Sequence, residues 1–525
     1  MAIAIFAHIP SRSPFYRLIK CLVMKRSFLP KTALLIVFLA GSIAQVAAFC
    51  GFYVAKADAK LFNKSSQVII ARADGQTVIT MSNDFSGEVK DFAMVVPVPE
   101  VLKKEQIRIA EQSIFDKLDT YSGPRLVEYF DEDPCNRYPR YYKDLEMATA
   151  EVEDFADAGL EEEKEQDYKV TIEESYTVGE YDILVLSAQE SDGLKRWLID
   201  NDYKIPADAE EVLDPYIKNQ LKFFVVKVNL DEFKLTGAEN LRPLQMSFRS
   251  DKFGLPIRLG MANANGDQDL IVYAFSEKGR VEVSNYRTTL IPTNKNIPST
   301  VKEKFGDFYL SVFEKAWEKA GKNIAIVEYA WDLSSRNFVK CDPCPTQPPM
   351  YTELREAGVF WVDNYGGSSY QGELFMTRLH LRYNRETFPQ DLTFIQTPNK
   401  QQFQGRYIMT HPPSSEFKCD QAQQYLKTLK DRRKREVREL AALTGWDTQT
   451  SEYRSYINQY DTFMKSNGYL DRLPPKDKDK GGIFALPVPS DNTPINPWPF
   501  ALFGLALMVM LVVFFRPYLT LRFES

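Results

Sequence analysis

Histidine is nearly missing from this sequence, with three in 525 residues. That scarcity argues against a histidine-rich metal centre and leaves no H-E-x-x-H helix. The chain also lacks a glycine-rich phosphate loop and a G-x-S-x-G nucleophile elbow. An excess of basic residues is missing too: Lys plus Arg number 65 against 71 Asp plus Glu, a net charge of −6. Nothing in that balance favours nucleic acid, which calls for a basic patch or domain. No catalytic set, no cofactor and no metal site are expected.

What is present is apolar and aromatic. Hydrophobic residues make up 44% of the chain, with 27 Tyr and 35 Phe, a composition that suits strands and sizeable cores. The length implies two to four folded units.

Both ends carry address signals. "MKRSFLPKTALLIVFLAGSIAQVAAFC" begins at Met24 with Lys25, Arg26 and Lys31 as a basic n-region and residues 33–40 as an apolar core. Val46, Ala47 and Ala48 suit signal-peptidase cleavage after Ala48, so residues 1–48 read as a signal peptide, with Met24 a better start than Met1. An uncleaved anchor needs a longer apolar run. Lipidation at Cys50 is disfavoured by the bulk of Phe49. At the other end "WPFALFGLALMVMLVVFF", residues 498–515, is uncharged and long enough to cross a bilayer as a helix. Trp498 marks one interface; Arg516, Tyr518 and Arg522 mark the other and place the tail, 516–525, inside the cell. Residues 471–497, rich in Pro, Lys and Asp, form a semi-rigid tether. The expectation is a single-pass membrane protein whose body, residues 49–470, lies outside the cytoplasm in two lobes.

That body reads as α+β, strand-rich with inserted helices. "QVIIARADGQTVITMSN" is two strands turning at Asp74-Gly75, and "DFAMVVPVP" is a further strand. Residues 146–174 hold twelve carboxylates against two lysines and read as a solvated insertion rather than a calcium or ligand surface. Ser191 or Asp192 is expected to cap a helix carrying Leu194, Trp197 and Leu198 on one face. A second short helix starts near Ala207. A helix over 305–321 aligns Tyr309, Val312, Phe313 and Trp317, and "NIAIVEYAWD" follows as a strand. "FMTRLHLRYN" is a strand whose imperfect alternation leaves its register open. Two amphipathic helices, 422–443 and 451–467, close the body. The basic run "KTLKDRRKREVRE" in the first reads as a solvated face.

Six cysteines are present, and Cys21 leaves with the signal peptide. Cys50, Cys135, Cys341, Cys344 and Cys419 remain, and an exported compartment permits disulfides. Only Cys341 with Cys344 is indicated as a pair, close in "CDPC"; the rest stay open, with one thiol left over. The same pair could exchange disulfides, but that chemistry wants the first Cys at a helix N-terminus, and Pro348 and Pro349 interrupt a helix here. A zinc site would need Cys135, Cys419, His380 or His411 to complete the pair. In "TRLHLRY", Arg378 and Arg382 flank His380 and could bind an anion, against the plainer reading of a part-buried strand histidine. His411 sits at a proline turn and reads as structural. "NANGDQD", 263–269, resembles a short calcium loop but is better read as a type I′ hairpin turn at Asn265-Gly266.

Taken in order, "FCGFYVAKADAKLFN", "FAMVVPVP", "YTVGEYDILVLSA", "GLKRWLIDNDYKIP", "CDPC" and "TRLHLRY" resemble an exported bacterial family catalogued as domain of unknown function 2330. The resemblance runs from Cys50 to about Trp446 and implies a bacterial envelope protein; it brings no catalytic residue. The leading expectation is a non-enzymatic, membrane-tethered module that binds or scaffolds an unknown envelope protein or ligand. Thiol–disulfide exchange at Cys341 and Cys344 is the alternative.

Overall fold

A computed structural model describes residues 52–53, 66–82, 93–135, 169–201, 209–236, 241–263, 266–335, 341, 343–367, 369–414 and 417–466. One compact unit runs through Thr462; a second begins at Phe463 and is described only to Ser466. The signal peptide, Cys50, the tether, the 498–515 span and the tail lie outside the described residues. Among the described residues no helix is long and apolar enough to cross a membrane.

The fold is mixed α+β, built on two large sheets. The nine-stranded sheet runs β14 (Arg287–Leu290), β16 (Ile324–Asp332), β19 (Phe375–Tyr383), β12 (Gln268–Ser276), β2 (Ser66–Ala73), β3 (Gln76–Met81), β10 (Leu244–Arg249), β5 (Ile107–Ile109), with β21 (Phe403–Gln404) also on β16. The five-stranded sheet runs β1 (Phe52–Tyr53), β4 (Ala93–Val98), β9 (Lys222–Val228), β8 (Tyr181–Ala188), β7 (Val170–Val178). Three small sheets complete it: β11 (Gly254–Leu255), β20 (Leu392–Gln396) and β13 (Val281–Val283); β15 (Lys295–Asn296), β22 (Arg406–His411) and β6 (Arg125–Phe130); and the pair β17 (Asp363–Gly366) and β18 (Ser369–Gln371).

Strand alternation decides the layers. On β2, Val68 and Ile70 enter a core shared by both large sheets, whereas Ile69 and Ala71 face α1 (Gln112–Ser122). On β4, Met94, Val96 and Val98 enter the shared core, and Val95 packs with α2 (Ser191–Asp200) and α3 (Ala209–Lys218). The order is therefore helix, sheet, sheet, helix. A short α4 (Leu230–Thr236) follows β9. The outer face of the nine-stranded sheet is covered by α1, by α5 (Phe305–Lys319) and by α6 (Tyr351–Glu356). Beyond α5 lie α7 (Asp420–Thr444) and α8 (Ser451–Asn458), and α9 (Asp461–Ser466) follows α8 in the chain.

Local chemistry accounts for many boundaries. Asp74 and Gly75 both have positive φ, 47° and 78°, the requirement of a type I′ turn between β2 and β3. Gly445, at φ 78°, ends α7 by donating its N–H to the Ala441 carbonyl at 2.9 Å. The irregular alternation of β19 reflects cover on both faces, since Leu379 and Leu381 join the shared core while Arg378 and His380 turn toward the helices.

Five expectations need correction. Glu190, not Ser191 or Asp192, is the N-cap of α2: the Gln189 N–H still bonds the Lys169 carbonyl, and the helix begins at Ser191, one residue earlier than a Ser191 cap would place it. The acidic stretch ends in a strand from Val170; its residues 146–168 lie outside the described set. The expected helix over 451–467 is two helices that break at Gln459-Tyr460. A 3-10 turn, Gly260–Asn263, precedes Gly266, so the expected hairpin lacks its first strand. The basic run of α7 is not all solvated: Arg433 and Glu436 are buried, and Arg432 makes a two-pronged ion pair with Asp131 at 2.9 and 2.6 Å.

Candidate functional site

The three basic residues of "TRLHLRY" lie on one face of β19, two residues apart, facing α5 and α1. Antiparallel pairing sets Arg382 beside Asp269, and Arg378 beside Tyr273, on β12. On the other side β16 carries a bulge: Val327 pairs with Leu379 and Tyr329 with Arg378, which leaves Glu328 as the extra residue. The Glu328 carboxylate, 0% exposed, is aimed at both cations. It accepts from Arg378 Nε at 2.6 Å and meets His380 Nδ1 at 2.7 Å. The Tyr309 hydroxyl of α5 donates to the same carboxylate.

The chain of charges continues outward. Arg378 Nη1 donates to Asp119 on α1 at 2.6 Å. Arg382 grips Asp269 with Nε at 2.8 Å and Nη2 at 3.0 Å. His380 Nε2 lies 3.6 Å from Asp269 Oδ1, an ion-pair distance that is long for a hydrogen bond. Phe313 stacks on the imidazole with ring centroids 3.8 Å apart. Three carboxylates thus alternate with two guanidinium groups and one imidazole, and the set is neutral when His380 is protonated.

Burial works against the charges of Glu328, Asp269, Arg378, His380 and Arg382, and the partners outweigh it. Desolvation alone would lower the His380 pKa, but Glu328 and Asp269 raise it above the ordinary value. Desolvation would raise Glu328, but His380 and Arg378 hold it low. Asp269 is likewise held low by His380 and Arg382 against burial. The expected anion seat at Arg378, His380 and Arg382 is filled by the protein's own carboxylates. A substrate would have to displace them to reach His380, whose side chain is 7% exposed.

The four described cysteines fall into two bonds. Cys341 is joined to Cys344, and Cys341 is 3% exposed in the core beneath α1 and α6. The Pro343 carbonyl between them accepts from Arg125 and from Gln404, each at 3.2 Å. The next helix, α6, starts only at Tyr351, so no helix N-terminus lies at Cys341 to lower its pKa. Cys135 is joined to Cys419 across 284 residues, which fixes the start of α7 near the end of β6. Sulfurs paired in this way are not the thiolates zinc requires. His411 ends β22, where it meets Glu128 at 2.9 Å and stacks on Phe130.

Away from the charges, a cavity of about 560 Å³ opens where the two large sheets diverge. Met81, Val96, Met246 and Phe248 line it, with Tyr216 of α3 and Asp391 at its polar side. Asp391 Oδ1 accepts from Tyr216 OH at 2.8 Å and from the backbone N–H groups of Ile257 and Arg258 at 2.9 and 3.0 Å. None of these residues was indicated as a site by the sequence, since they come from several separate segments spread between Met81 and Asp391. Glu328 was also missed; its signal was a lone carboxylate inside "IAIVEYAW".

Residues 44–395 match the family described as an uncharacterized protein conserved in bacteria, DUF2330. The chain belongs to this family. The DUF2330 region holds both large sheets except β21, the charge chain, the Cys341–Cys344 bond and the cavity. It stops short of the expected limit near Trp446, so α7 and Cys419 lie beyond it. No curated protein matches the chain. Two solved structures of a mutated baculovirus P35 after caspase cleavage are similar at 10% and 8% identity, with TM-scores of 0.24 and 0.22. They cover 64% and 63% of this chain and 99% and 97% of their own. At those scores the likeness carries nothing further.

Proposed function

We propose that this DUF2330 protein is a non-enzymatic binding module of the bacterial envelope, held by a signal-peptide-directed export and a single C-terminal anchor at residues 498–515. The cavity between the two large sheets is its ligand seat. One observation carries the reading: the polar residues under α5 are matched against one another, whereas the cavity is open, apolar-walled and within the range of about 300–1,000 Å³ usual for small-molecule sites. Sequence supports the address: Ala48 for cleavage, and an uncharged span followed by Arg516 and Arg522.

The test uses full-length chain extracted from its native membranes in polymer-bounded lipid particles. Bound small molecules are compared by mass spectrometry between the wild type and Met246→Trp, which fills the cavity. The reading expects a molecule present in the first and absent in the second. Identical contents would remove it. Reporter fusions after residue 470 and after residue 525 test the address, and activity outside the cytoplasm is expected only for the first.

A further inference from the structure

We infer that the cavity takes a single-chain amphiphile with one carboxylate head, its chain against Met81, Val96, Met246 and Phe248 and its head on Arg258. This rests on the binding reading above and names its ligand class.

Arg258 is half-buried and borders the apolar wall. Its backbone N–H is bonded to Asp391; its guanidinium makes no direct hydrogen bond or ion pair among the described residues and acts only at longer range on Asp391, Tyr216 and Tyr286. It stands alone in this. Every other buried or half-buried arginine among the described residues donates from its guanidinium to a carboxylate, a carbonyl or another side-chain oxygen. A cation next to an apolar wall is costly to desolvate unless an anion comes with the ligand. Arginine's planar fork fits a carboxylate two-pronged.

The neighbours permit this. Asp391 lies beside this seat, and its charge is offset by Arg258 and by three donors that share Oδ1, the Tyr216 hydroxyl and the N–H groups of Ile257 and Arg258. Asp251 and Lys252, both exposed at the rim, offset each other. The volume suits one drug-sized molecule rather than a two-chain lipid. Met81 and Met246 are unbranched and polarizable, and adapt to chains of differing length.

The test is photo-crosslinking of the full-length chain in lipid particles. Three diazirine probes are used: a long-chain carboxylic acid, the alcohol of the same chain, and a two-chain phosphatidylcholine. Labelled peptides are mapped by mass spectrometry. The acid is expected to label peptides holding Met81, Met246 or Phe248. Arg258→Gln is expected to lower that labelling about tenfold, and Arg258→Lys to retain part of it. Alcohol labelling should not respond to Arg258→Gln, which also shows that the variant is folded. Equal labelling by acid and alcohol, unchanged in Arg258→Gln, overturns the carboxylate assignment and leaves the binding reading standing. Labelling of the cavity by the two-chain probe as strongly as by the acid overturns the single-chain assignment. Acid label confined to residues 498–515 overturns the seat, and with it the binding reading if Met246→Trp also leaves the native contents unchanged.

Discussion

The two faces of the nine-stranded sheet solve opposite problems. Under α5, six charged side chains of β12, β16, β19 and α1 are drawn together and consume one another. On the other face, where β3 and β10 diverge from β4, apolar side chains are left apart and the Arg258 guanidinium makes no direct ion pair among the described residues. A crowd of titratable groups attracts attention as a candidate active site. Here that crowd is closed: Phe313 covers the imidazole, and each cation has its carboxylate. The cavity's ionisable groups, Tyr216, Asp251, Lys252, Arg258 and Asp391, leave its wall of Met81, Val96, Met246 and Phe248 apolar, and it is the place with room. The comparison separates a perturbed pKa from an accessible one.

The sharpest way to break the comparison is to unbalance the closed face. Glu328→Gln keeps the size of the side chain and strands Arg378 and His380 without their shared anion. Breaking one partner of a buried pair costs roughly 3–5 kcal/mol. Urea unfolding of the full chain should show a loss of that order with bound ligand unchanged. A loss below about 1 kcal/mol would mean that the charges are solvated after all.

A smaller effect follows from pH. The His380 pKa is raised in the fold. Its contribution is therefore complete below the unfolded value of about 6.5 and disappears as pH rises through the raised value. Glu328 and Asp269 are lowered, so their contributions are complete above about pH 4 and disappear as pH falls through the lowered values. Stability from this face is greatest between those limits. The groups that set it are Glu328, Asp269, Arg378, Arg382 and Tyr309. Urea midpoints measured from pH 5 to 9 should fall toward the alkaline end in the wild type and fall less in His380→Gln. Parallel curves would remove His380 from the account.

How legible each face was depended on how local its cause is. The Asp74-Gly75 turn, the α5 stripe and most strands follow from neighbours in sequence, and those expectations hold in the fold. The four-layer order does not follow, because "NIAIVEYAWD" and "FMTRLHLRYN" are buried on both faces and lose the alternation that would assign their sides. Arg378, His380 and Arg382 were visible as a group. Their partners were not, since Glu328 turns inward only through a bulge and Asp119 arrives from a helix 259 residues from Arg378. The cavity was invisible for the same reason: nothing local marks Met81, Met246 and Asp391 as neighbours.

The Cys341–Cys344 bond tests whether the closed face extends to the proline loop. A bridge over so short a loop contributes at most about 2 kcal/mol. Cys341→Ser with Cys344→Ser should cost no more than that, and the wild-type bond should have a potential below about −300 mV and resist alkylation after mild reduction. A potential near that of a periplasmic oxidant, about −120 mV, with rapid alkylation of Cys341 would make the pair an exchange centre and reopen this side as functional.

The smallest expected change belongs to the open face. The Arg258 guanidinium makes no direct hydrogen bond or ion pair among the described residues and acts on Asp391 only at longer range, so Arg258→Gln removes no direct ion pair from them. Its stability should stay within about 0.5 kcal/mol of the wild type once ligand has been stripped, as for a substitution away from a packed core or network. With ligand bound the two should separate, because a ligand that binds only the folded chain adds stability by mass action. Urea unfolding before and after stripping measures both. If Arg258→Gln costs several kcal/mol in the stripped protein, the guanidinium has an internal partner, and the two faces of the sheet are built alike.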